Sequence, residues 1–227
     1  MNQTSIKLGF WSAILCAALF IVFTFCFVGI VLTSPLFLWE TYQGYVDYVN
    51  DNNQFLAHLA RLSMVLFGPL FVILLNAIHE HTLNNKQILT RISIAFGLGF
   101  AILSGLFYFM QITAVRLNLL HGQPEELLQF VQANPYGALL SVNMLGVTLY
   151  LGLASLFAAF VFGNGRLEKV IKIALLLNGI FCLTGGVAYA FELTTLLFIT
   201  INLGMGMAVL VATISLTVWF QRLSREN

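Results

Sequence analysis

Six long apolar stretches, about 9–33, 57–78, 90–115, 137–162, 170–191 and 196–220, constrain this chain more than anything else in it. Each is as long as the roughly 20 residues a helix needs to cross a hydrocarbon core about 30 Å thick. In hydrocarbon a backbone must satisfy its own amides, so each stretch is expected to be a helix. Apolar side chains make up 59% of the chain and charged ones 8%, with a mean hydropathy of +0.92. Too few polar groups remain to cover a water-soluble surface. The expected fold is an all-α integral membrane protein, a single transmembrane domain over 1–227 built as a six-transmembrane-helix bundle.

The first stretch has no charge between Lys7 and Glu40, too long for a cleaved leader's core, and is read as a retained anchor. Pro35 closes it, and Pro69 is expected to kink the second span. The break near Glu192-Leu193-Thr194-Thr195 is the weakest; a continuous helix there would leave five spans. Charge placement favours six. With the N-terminus inside, Lys7, Lys86, Arg91, Arg166, Lys169, Lys172, Arg222 and Arg225 all fall on the cytoplasmic side, eight of the ten basic residues. Glu40, Asp47, Asp51, Glu125, Glu126 and Glu192 fall outside. Both termini are therefore expected to be cytoplasmic.

The outer loops, 34–56 and 116–136, are expected to carry short interfacial helices. Trp39, Tyr42, Tyr45 and Tyr48 recur every third residue, which suits an aromatic face in the headgroup layer or a lid over a pocket. Pro124-Glu125-Glu126 is helix-starting chemistry, leaving Leu127, Leu128 and Val131 to lie on the membrane. A shift of 81 positions pairs Phe100 with Phe181, Tyr108 with Tyr189 and Gln111 with Glu192, a weak sign that the third and fifth spans are duplicated elements.

No Asp, Glu, Lys, Arg or His lies deep within a span, which argues against a proton pump or voltage sensor. Polar residues gather instead toward the outer ends of the second, third and fifth spans. Polar stripes turn inward in a bundle. Converging, they would form an outward-facing pocket of His58, Arg61, Tyr108, Gln111, Arg116, Tyr189 and Glu192. Arg61 or Arg116 would pair with Glu192, leaving the other cation to grip a phosphate or carboxylate. The plainer reading of the same residues is interhelical hydrogen bonding and snorkelling arginines.

His79-Glu80-His81 lacks the spacing and the further ligands of a metal shell and reads as a solvated helix end; no metal and no cofactor is expected. Cys16, Cys26 and Cys182 sit in apolar runs as small hydrophobes. A net charge of +1 gives no nucleic-acid footprint. On the sixth span Gly204, Ala208 and Ala212 form a small-residue ridge for helix packing, within the bundle or against a second copy or partner subunit.

Tyr108-Phe109-Met110-Gln111-Ile112-Thr113-Ala114-Val115-Arg116, Leu120-His121-Gly122, Asn134-Pro135-Tyr136-Gly137, Leu145-Gly146 and Arg166-Leu167-Glu168 together resemble an uncharacterised family of small multispan bacterial membrane proteins of unknown function. The resemblance covers about residues 105–227. It implies a bacterial inner (plasma) membrane and no activity.

The expectation is a non-enzymatic protein that binds or transports a lipid or small amphipathic molecule, with membrane lipids as partners. An accessory or assembly subunit of a larger membrane complex is the alternative. An intramembrane enzyme ranks third, for want of a nucleophile–base pair.

Overall fold

The computed structural model describes residues 3–35, 37–122 and 127–226. Six helices are long and apolar enough to cross a membrane. They are α1 (Gln3–Thr33), α3 (Phe55–Glu80), α4 (Asn84–Leu120), α5 (Ala138–Ala159), α6 (Arg166–Ala190) and α7 (Thr194–Arg225). A seventh, α2 (Tyr42–Asp51), is short. Among the described residues there is no strand.

The long helices form a ring in chain order. α1 packs on α3, α3 on α4, α4 on α5, α5 on α6, α6 on α7, and the second half of α7 closes back on α1. Both termini lie at one end: Ser5 Oγ is 3.1 Å from His81 Nε2, and the His81 ring meets that of Phe220 edge-on. We call this the terminal end; α2 and the 127–137 segment mark the opposite, loop end. The eight basic residues of the termini and the α3–α4 and α5–α6 turns share the terminal end. Lys86 Nζ caps the last carbonyls of α5 there, at 3.0 Å from Phe160 O.

Helices apolar enough to cross a membrane pack through close backbone approach and interhelical hydrogen bonds, and both are present. The backbones of α5 and α6 cross at Gly152 and Gly179, where an added Cβ on Gly179 would stand 2.9 Å from the Gly152 carbonyl. α3 and α4 cross at Gly68 and Ala101 in the same way. Ser93 Oγ donates to Ala154 O at 2.7 Å, and Asn178 Nδ2 to Ser155 Oγ at 2.6 Å. The ridge on α7 is used inside the chain: Ala208 and Ala212 are buried, and the Phe181 ring of α6 fills the space beside Gly204.

Several boundaries depart from the sequence reading because polar flanks continue the helices. α4 runs five residues beyond the apolar stretch, so Arg116 is helical rather than in a loop. α3 passes through Pro69 without ending. The break after α6 is a reverse turn closed by Leu193 N on Ala188 O (2.8 Å) and Glu192 N on Tyr189 O (3.2 Å). Glu192 sits at its left-handed position, φ 55°, where glycine is usual. At the position that the 81-residue shift equates with this turn, α4 instead continues through a π-turn, Gln111–Val115.

The loop end differs most from expectation. α2 forms, capped by Thr41 Oγ1 on Gly44 N, but its aromatic face packs inward. Tyr45 is buried with Val115, Leu127 and Val131, and Phe37, Trp39 and Tyr42 lie against them. Leu127 and Val131 are thus core residues, not membrane-facing ones, and 128–137 is a run of turns. Pro124, Glu125 and Glu126 lie outside the described residues. His79 and His81 are half-buried and have partners: His79 Nδ1 bonds Thr90 Oγ1, and His81 bonds Ser5.

Candidate functional site

Inside the ring, the terminal-end half is filled by side chains and the loop-end half is not. Phe67, Phe71 and Phe100 meet ring to ring, with Phe67–Phe71 stacked at 5.9 Å and Phe100 edge-on to both. Toward the loop end lies a cavity of about 640 Å³, within the usual range for small-molecule sites. Three of the helices around it contain π-turns: Gln111–Val115 in α4, Leu145–Tyr150 in α5 and Phe198–Met205 in α7. Such turns displace the residues beyond them around the helix axis and often accompany functional sites.

The lining is divided. Phe20, Phe23, Phe67, Phe100, Val147 and Leu151 make the deeper wall apolar. Toward the loop end stand Arg61, Tyr45, Tyr48, Tyr108, Gln132 and Asn143. Arg61 is six residues into α3, about 9 Å along its axis. Its Nε donates to Gln132 Oε1 at 3.0 Å, His58 Nδ1 lies 3.4 Å from its terminal nitrogen, and the Tyr45 hydroxyl completes the contact. Burial pushes the Tyr45 phenol above its ordinary pKa, and Arg61 draws it only partly back. Tyr45 therefore stays neutral at physiological pH. No carboxylate pairs with Arg61 among the described residues; its described partners are Gln132, His58 and Tyr45, around a partly buried cation that faces the cavity. Such a charge is costly to hold in an apolar setting without an anion.

Tyr108, on the cavity wall from α4, engages the Asn143 amide, whose oxygen accepts from Ser104 Oγ at 2.8 Å. This ties α4 to α5 and fixes a hydroxyl on the cavity wall.

Of the seven residues expected to converge, Arg61 and Tyr108 line the cavity, with His58 beside Arg61. The others do other things. Gln111 is fully buried and clamps the loop, its Nε2 on Phe130 O at 2.6 Å and its Oε1 accepting from Gln132 N at 3.1 Å. It thereby places Gln132 over Arg61. Tyr189 holds the entry to α5 through Ser141 Oγ (2.9 Å) and Pro135 O (3.2 Å). Arg116 is exposed and turns back on the Ile112 carbonyl of its own helix. Glu192 is exposed in the α6–α7 turn. The expected ion pair between Glu192 and an arginine is not formed, because a turn geometry rather than a pocket placed that residue.

Tyr45, Gln132 and Asn143 were missed. The spacing of Tyr45 suits a headgroup anchor or a lid without marking it as a partner of Arg61, and the other two carry no local pattern. Only the position of Arg61, nearly two turns into an otherwise apolar helix, hinted that something must meet it. The chain has no match among family models, curated proteins or solved structures, so function has to be read from the cavity.

Proposed function

We propose that this chain is a multi-pass protein of the inner (plasma) membrane that binds or carries a lipid or other small amphipathic molecule with an anionic head. Its termini lie on the cytoplasmic side, in keeping with the basic residues at that end, so the cavity opens in the outer half of the bilayer. The head sits at Arg61, with hydroxyl and amide groups of Tyr108, Tyr48 and Gln132 around it, and the tail lies along the phenylalanine-lined wall. The observation that carries this reading is the guanidinium of Arg61, without a carboxylate among the described residues, at the polar end of an otherwise apolar cavity. An anion would supply the missing charge in a low-dielectric site, where charge-assisted hydrogen bonds are strongest.

The test is extraction of the full chain in mild detergent, followed by native mass spectrometry and lipid identification, for the wild type and Arg61→Gln. Wild type is expected to retain an anionic amphiphile in defined stoichiometry, and the variant to lose it at least tenfold. Equal retention by both, or none by either, overturns the proposal.

A further inference from the structure

The cavity wall between α1 and α7 is unlike the rest of the ring. α7 packs on α1 along Gly206–Arg225, with the Phe20 ring 3.6 Å from the Cβ position of Gly206. Beyond that contact, toward the loop end, both helices line the cavity with residues that are also exposed. Phe27 and Val28 of α1 are 42% and 46% exposed, and Phe198 and Leu203 of α7 are 49% and 54% exposed. Side chains of a closed chamber would not be so open. Overhead, meanwhile, α2 and the 127–137 turns lie across the loop end, Tyr45 and Gln132 both reaching Arg61.

Asn202 stands in this gap. It lines the cavity, is exposed, and has no hydrogen-bond partner among the described residues. Its neighbour Thr200 bonds its own helix at Leu196 O (2.8 Å), the usual way a hydroxyl is tolerated in a span. The Asn202 carboxamide is not satisfied in that way, on a helix face otherwise made of Phe198 and Leu203. Exposed to hydrocarbon it is unfavourable; offered to a passing polar head it is a donor and an acceptor. Asn202 and Arg61 line the same cavity, one from α7 and the other from α3.

We infer that the amphiphile enters sideways from the surrounding bilayer, head first between α1 and the π-turn segment of α7, and that Asn202 is the positioning residue that receives the head before Arg61 binds it. This rests on the binding reading above. A head moving from Asn202 to Arg61 stays within one cavity while its tail lies along the apolar wall. Asn202 therefore governs the rate of exchange and Arg61 the affinity.

The experiment uses the full chain in phosphatidylcholine vesicles with cis-parinaric acid, a fluorescent single-chain carboxylate. Energy transfer from tryptophan reports equilibrium binding and, by stopped flow, the rates. Asn202→Leu is expected to slow both binding and release at least fivefold with the Kd within twofold of wild type, and Asn202→Gln to restore the rates. Val28→Trp and Leu203→Trp, which narrow the gap, slow exchange in the same sense. Arg61→Gln raises the Kd at least tenfold. If binding depends on Arg61 but Asn202→Leu and both tryptophan variants exchange within twofold of wild type, the lateral route is overturned and the binding reading stands. If wild type shows no Arg61-dependent binding, the binding reading itself falls.

Discussion

Arg61 and Gln132 are 71 residues apart in the chain and meet above the cavity, guanidinium Nε to amide oxygen at 3.0 Å. The contact exists because Gln111, on a third element, holds the loop by both ends of its carboxamide. The anion site is thus assembled from α3, α4 and a turn segment at once. Its parts make different, separable predictions.

Gln111→Leu should free the 127–137 segment while leaving the helices intact. Two backbone groups would lose buried partners, each loss costing about 1–3 kcal/mol. Amide exchange at Phe130 and Gln132 should accelerate well beyond that of the spans. Unchanged protection there would mean the loop is held by its own turns alone.

Glu192→Gly should stabilise the protein. A side chain at φ 55° is strained by about 1 kcal/mol, and glycine is not. The melting temperature in detergent should rise by a degree or more, with ligand retention unaffected since Glu192 lies outside the cavity.

Gly179→Leu should do the opposite. The new side chain would meet the Gly152 carbonyl and Leu156, forcing α5 and α6 apart at a cost of about 1–3 kcal/mol. A lowered melting temperature and poorer expression are expected. A variant as stable as wild type would show that the crossing has slack.

Stability should depend on pH through His81. Burial against Trp219 and Phe220 lowers its pKa, outweighing the pull of Glu80. The folded state then favours the neutral ring. Its contribution is fully present above the ordinary histidine pKa of about 6.5 and is lost as pH falls through the folded value. Melting temperatures should be flat from pH 7 to 8 and fall below about pH 6.5. His81→Gln should flatten the lower limb.

Orientation can be checked in whole cells. Ser224 is exposed near the end of α7, and the native cysteines are buried. Ser224→Cys should resist a membrane-impermeant maleimide until the cells are opened. Labelling of intact cells would place the cavity in the other half of the bilayer.

Hydropathy and charge alone were enough to foresee six helices long and apolar enough to cross a membrane, with both termini at one end, because each apolar stretch is long enough to count. Arg61 and Tyr108 were legible too, as polar residues on otherwise apolar faces. What tertiary structure decided was the company they keep. Glu192 carries the charge a pocket would want, but the left-handed turn after α6 points it elsewhere. Gln132 and Asn143 look like ordinary loop and span residues until π-turns and the Gln111 clamp bring them to the cavity. Tyr45 has the spacing of an interface anchor and the environment of a ceiling. The number of long helices follows from the length and apolarity of each segment taken separately. A site depends on contacts between distant segments, and their spacing in the chain says nothing of which faces will meet.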